Sequence, residues 1–170
     1  MSEAKMRRWL RRELRELEVR PPLDIEKLCR ALGDRRGREI RLLPYPLRVP
    51  GPYGLWIATG EADYIVFQAE TSKPHQDHII LHEIGHILHD HRSDDEDPDY
   101  LRSVMPDLDP DVVQRALRRT SYDSEQEQQA ELVATIVLEW AATAKVSPAP
   151  ASDGRLRRLD EGLGDQQGWL

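Results

Sequence analysis

Met6, Leu10, Leu14 and Leu17 recur at helical spacing and predict an amphipathic helix over residues 4–18. Arg7, Arg8, Arg11, Arg12 and Arg15 crowd the rest of its circumference. They read as a solvated face, aided by pairs such as Arg12 with Glu16, with a basic contact for a partner as the alternative. Pro21-Pro22 stops this helix, and Asp24 is placed to cap a second one with Ile25, Leu28, Cys29 and Leu32 as its buried stripe. Gly33 is predicted to close that second helix in the left-handed conformation. Three short runs of Ile, Leu, Val and aromatic residues then read as strands: Glu39–Leu43, Gly54–Thr59 and Tyr64–Gln68. Pro44, Pro46, Pro50 and Pro52 predict a stiff connection after the first strand. Gly60-Glu61-Ala62-Asp63 fits a hairpin turn, which makes the last two strands antiparallel neighbours.

The remainder of the pattern is helical. Residues 74–91 form a predicted helix, with Thr71 or Ser72 near its start and Pro74 in its first turn. The acidic run Asp94–Asp99 lacks the spacing and glycine of a calcium loop and reads as solvated. Asp109-Pro110 opens a short helix to Arg119, and a long helix spans about Tyr122 to Lys145. Pro148, Pro150 and Gly154 break the pattern, leaving one domain over 1–146 and a tail over 147–170. The fold class expected from this order is α+β: mostly helical, with a small three-stranded sheet ahead of the 74–91 helix.

Length and charge narrow the functions available. The chain has 170 residues, room for one compact core. A net charge of -7 argues against a surface built wholly to grip nucleic acid. Leu132–Leu138, the longest apolar stretch, is too short to span a bilayer, and the first twenty residues show no apolar secretory core. Cys29 is the single cysteine, which rules out an intrachain disulfide and fits a reducing, cytoplasmic setting. A small buried hydrophobe is its expected role.

The chemistry concentrates at His82-Glu83-Ile84-Gly85-His86. Helix positions four apart share a face, so both imidazoles reach one ion from the same side. Imidazole suits zinc, and an open catalytic site takes three protein ligands and keeps a place for water. Glu83 projects about 100° around the helix from His82, beside the metal, where a carboxylate can act as general base. Ile79, Ile80, Ile84 and Ile87 bury the opposite side. Gly85 costs a helix about 1 kcal/mol relative to Ala, which makes sense where another element packs close. The third ligand should come from the long helix. Glu125 reads as an ordinary helix-start carboxylate, while Glu127 and Glu131 share a face with Ala134 and Leu138. Spacing alone does not choose between these two.

His82-Glu83-Ile84-Gly85-His86-Ile87-Leu88-His89 resembles the ImmA/IrrE family of metallopeptidases, and the resemblance spans most of residues 23–140. Glu127-Gln128-Gln129-Ala130-Glu131-Leu132-Val133-Ala134 is similar to that family's downstream Glu-x-x-Ala-x-x-Phe-Ala helix. Val133 stands where Phe is usual, and Val137-Leu138-Glu139-Trp140 replaces the usual Leu-Leu-Met-Pro. The resemblance implies a minimal zincin-like fold, zinc held by His82, His86 and Glu127, Glu83 as catalytic base, and Glu131 in a supporting role. It also implies a cytoplasmic regulatory endopeptidase acting on a helix-turn-helix repressor or similar protein partner, while the net charge and the short apolar stretches argue against nucleic acid or a membrane as direct ligand. The alternative is a non-proteolytic module that keeps the metal site and binds a protein or DNA partner.

The other histidines are expected to support the site. His78 shares the face of His82, and His89 lies three beyond His86. His75 and His91 carry no distinctive signal, and Tyr64 or Tyr122 is a candidate to steady a tetrahedral intermediate.

Overall fold

A computed structural model describes residues 1–47, 53–58, 62–91 and 123–146. Within them the chain is α+β and helix-rich: α1 (Glu3–Glu16), α2 (Ile25–Arg36), β1 (Glu39–Tyr45), β2 (Gly54–Ala58), β3 (Ala62–Gln68), α3 (Lys73–Leu88) and α4 (Ser124–Val146). The acidic run 94–99, the short helix 109–119, Tyr122, the tip of the 60–63 turn and the tail 147–170 lie outside the described residues. No helix among the described residues is long and apolar enough to cross a membrane.

Helix ends follow from local chemistry. Asp24 caps α2 by accepting from the Lys27 amide at 3.0 Å. Asp123 and Gln126 cap α4 reciprocally: Asp123 Oδ1 accepts from the Gln126 amide at 2.8 Å, and Gln126 Oε1 accepts from the Asp123 amide at 3.0 Å. Three helices finish alike. Val19 donates to the Leu14 carbonyl, Arg38 to Gly33 and His91 to His86, each past a left-handed residue: Glu18, Gly37 and Asp90. This is the Schellman arrangement, which satisfies carbonyls the helix leaves open.

Gly37, with φ 65°, therefore closes α2, and the expectation for Gly33 is corrected. The polar turn Asp34-Arg35-Arg36 continues the helix beyond its apolar stripe. Gly33 lies inside it for a different reason: a Cβ there would meet the Arg38 carbonyl oxygen at 2.9 Å, so β1 packs directly on it.

The sheet order is β1-β3-β2. β2 and β3 pair antiparallel, with Trp56 opposite Ile65, as the hairpin reading expects. β1 runs parallel to β3, with Leu42 opposite Ile65, and extends through Pro44 to Tyr45, so Pro44 belongs to a strand and not to the connection. The Ala69 amide donates to the Tyr45 carbonyl at 3.0 Å, which turns Tyr45 toward β3, and Pro44 beside it is exposed.

Alternation along the strands divides the core. Ile40, Trp56, Ile65 and Phe67 face the helices, while Leu55, Ile57 and Val66 join Leu47 and Tyr64 on the other side. Asp63, fully buried on β3, is held by Arg38 Nη1 at 3.3 Å and Arg36 Nη2 at 3.5 Å. Arg36 also donates to the Ile87 carbonyl, tying α2 to the end of α3.

α3 is buried nearly all round because it lies between the sheet and α4. α1 docks on α4: Met6, Leu10 and Leu14 enter the core, and Arg7 reaches Glu139 at 2.8 Å. Trp140 packs beside Leu10 and Leu14, so the departure at Val137–Trp140 coincides with the seat of α1. Arg12 pairs with Glu16 as expected, at 3.7 Å.

Candidate metal centre

Two close helix contacts set the centre. A Cβ on Gly85 would sit 2.8 Å from the Ala130 Cα, so α3 and α4 touch almost backbone to backbone. Glu127 lies one turn before Ala130 and is thereby brought over the histidines. On the other flank a Cβ on Gly54 would meet Ile79 Cγ2 at 2.5 Å and Glu83 Oε1 at 2.7 Å, so β2 covers Glu83.

The expected ligands converge. His82 Nε2 and His86 Nε2 are 3.1 Å apart, and the Glu127 oxygens lie 3.3 Å from the first and 3.5 Å from the second. Zinc bonds of about 2.0–2.1 Å to nitrogen and oxygen place tetrahedral ligand atoms about 3.3 Å apart. These separations are near that spacing, with Glu127 Oε2 the oxygen measured to His82 and Oε1 the one measured to His86. Two imidazoles and a carboxylate can hold a metal ion, a donor set that several divalent ions accept. His86 is fully buried, whereas Glu127 is about half exposed, so one side stays open. A cleft of ≈ 500 Å³ lies there, lined by His82, Glu127, Gln128, Glu131, Leu132 and Thr135.

Electrostatics agree with a centre shaped for a cation. Burial, reinforced by the charge of Glu127 and opposed by the Trp56 amide, pushes the Glu83 carboxyl up to about 8. Its Oε2 is buried without a hydrogen-bond partner among the described residues. Burial and the neighbouring His82, His91 and His89 drive His86 down to about 3, which keeps it neutral as a ligand must be. A cation here would relieve the crowding of lone pairs and favour the charged form of Glu83.

Glu131 lies beside His82, the residue that the supporting role implied by the resemblance would serve. Its Oε2 is 3.4 Å from His82 Nδ1 and 3.1 Å from His78 Nε2. Partial burial works to raise its pKa, but hydrogen bonds from His78 and His82 outweigh this and hold it below the usual range. His89 turns away from the cleft: its Nδ1 bonds the Gly85 carbonyl and its ring lies against Trp9 and His91. His75 bonds Thr71. Tyr64 is on the far face of the sheet beside Arg41, so it is not the group that steadies an intermediate.

The expectation for His91 is corrected. It is buried, its Nδ1 is 2.9 Å from His86 Nδ1, and its Nε2 is 3.1 Å from Gln129 Oε1. Five residues from His86 is off the helical period, so spacing gave no cue. The left-handed turn at Asp90, φ 48°, folds it back over the helix end. A helix-stop reading of His89-Asp90-His91 is the signal that would have found it. Comparison of the chain with family models, with curated proteins and with solved structures finds no match.

Proposed function

We propose that this chain is a zinc-dependent regulatory endopeptidase with a zincin-like fold similar to the ImmA/IrrE family. The observation that carries the reading is the convergence of His82, His86 and Glu127 at 3.1–3.5 Å beside a buried, incompletely bonded Glu83. His82 and His86 present lone pairs from one helix face, and Glu127 adds negative charge from α4. A bound divalent ion would supply Lewis-acid polarisation of a carbonyl and acidify a water. Glu83 then takes the proton of the attacking water and returns it to the leaving amine. Gly54 matters here because any side chain at that position displaces the base. The open cleft along α4 would receive the substrate, a protein partner of the helix-turn-helix repressor kind. The lone buried cysteine fits action in the cytoplasm.

Metal analysis with a cleavage assay on such a repressor tests this. The full chain should hold one zinc, His82→Ala and Glu127→Ala should lose it, and Glu131→Ala should weaken retention less. Glu83→Gln should keep zinc while hydrolysis falls at least about 100-fold. Equal zinc retention in Glu127→Ala and the parent removes Glu127 from the ligand set. A regulatory effect that survives Glu83→Gln replaces proteolysis by partner binding.

A further inference from the structure

We propose that Glu125, Gln129 and His91 form a one-way hydrogen-bond relay that fixes which nitrogen of His86 carries its proton. The proposal rests on the metal-centre reading for its purpose, and on hydrogen-bond polarity for its argument.

The direction starts at the acceptor-only end. Glu125 is a carboxylate, so the group facing it across 3.0 Å must be the Gln129 NH₂, which donates. That orientation turns Gln129 Oε1 toward His91 Nε2 at 3.1 Å. A carbonyl oxygen only accepts, so a neutral His91 donates from Nε2 and keeps a lone pair on Nδ1. Across 2.9 Å that lone pair faces His86 Nδ1, which must then be the donor. His86 is left with a bare Nε2, the atom 3.1 Å from His82 Nε2 and 3.5 Å from Glu127. The chain thus prepares the one tautomer that can ligate through Nε2. Each of the three relay bonds has a donor and an acceptor under this assignment. With both imidazoles neutral, reversing any one of the three sets two donors or two acceptors face to face further along.

The helix geometry makes the relay a product of the fold. Glu125 and Gln129 are one turn apart on α4, while His91 is delivered by the left-handed turn that ends α3. His91 and Gln129 are positioning residues, since they act on the metal through His86.

Two measurements on the full chain test this. In metal-free, ¹⁵N-labelled protein, long-range proton–nitrogen correlations should show His86 protonated at Nδ1 and His91 at Nε2. Zinc competition with a chromophoric chelator should show His91→Leu weakened about 10- to 100-fold. His91→Asn, whose Oδ1 can accept from His86 Nδ1, should recover most of that loss. Gln129→Met should leave His86 as a mixture of tautomers. Protonation of His86 at Nε2 in the parent overturns the relay, even if His91→Leu fails to fold. So does a folded His91→Leu with zinc affinity changed less than about twofold. A parent that binds no zinc defeats the metal-centre reading instead, while the tautomers still decide the relay.

Discussion

Cys29 sits on α2 with its thiol buried among Leu28, Leu32 and the rest of the core. Burial, helped slightly by Glu26, pushes that thiol from 9.0 up to about 12. The folded state therefore holds a proton that the unfolded chain gives up earlier. Its stabilising effect is complete below the unfolded value and is lost as pH climbs toward the folded one. Denaturation midpoints measured from pH 9.0 upward should thus fall more steeply for the parent than for Cys29→Ala. A thiol reagent at neutral pH should label Cys29 only after unfolding. Its burial was legible because a helical stripe names its own inner face. The convergence of His82 and His86 was legible for the same reason, as four residues apart is a property of any helix. The choice of Glu127 over Glu131 was not, because it depends on where α4 crosses α3. His91 was hidden in another way: its role arises from one left-handed residue, Asp90, and periodicity cannot register that.

Between elements, the contact of Gly85 with Ala130 decides how α3 and α4 sit. A methyl on Gly85 would favour the helix itself by about 1 kcal/mol. It would also lie 2.8 Å from the Ala130 Cα and 3.0 Å from its carbonyl oxygen, and a backbone cannot rotate aside. Overlap of this kind costs about 1–3 kcal/mol, which less the helix gain leaves Gly85→Ala about 0–2 kcal/mol less stable in urea unfolding. Its zinc affinity should fall as well, because parting the helices carries Glu127 away from His82 and His86. Unchanged affinity would mean that α4 reaches the centre without this close approach. A packing role for Gly85 could be anticipated from its cost in a helix, though its partner could not. The strands themselves were readable from composition, and the β2–β3 hairpin from its turn. The parallel pairing of β1 with β3 was not, since it joins segments separated by a whole strand and no local signal encodes it. Gly33 and Gly37 show the same limit. Both lie near the end of α2, and which one closes it depends on β1 packing against the other.

At the scale of the whole molecule, the three residues of the candidate metal centre, His82, His86 and Glu127, come from two helices separated by 35 residues of chain between Leu88 and Ser124. An ion bound only by the folded arrangement stabilises it by mass action, about 2.7 kcal/mol at a hundredfold excess over Kd. Zinc should raise the Tm by about 5–10 °C, chelation should reverse this, and His82→Ala should show neither response. A zinc-independent Tm in a protein that carries stoichiometric metal would place the ion away from these ligands. The sheet bears on how separate molecules meet. β1 is an outer strand, and because Tyr45 turns its carbonyl inward to Ala69, the alternation of a strand turns the backbone of Pro44 outward. At that exposed position the proline ring takes the place of an amide hydrogen. A second molecule laying an extended segment along this margin meets a missing donor, a rigid ring, and the exposed Glu39–Arg41 pair earlier on the same strand. Among the described residues this margin of the sheet therefore offers a pairing strand one donor fewer, which works against edge-to-edge growth from β1.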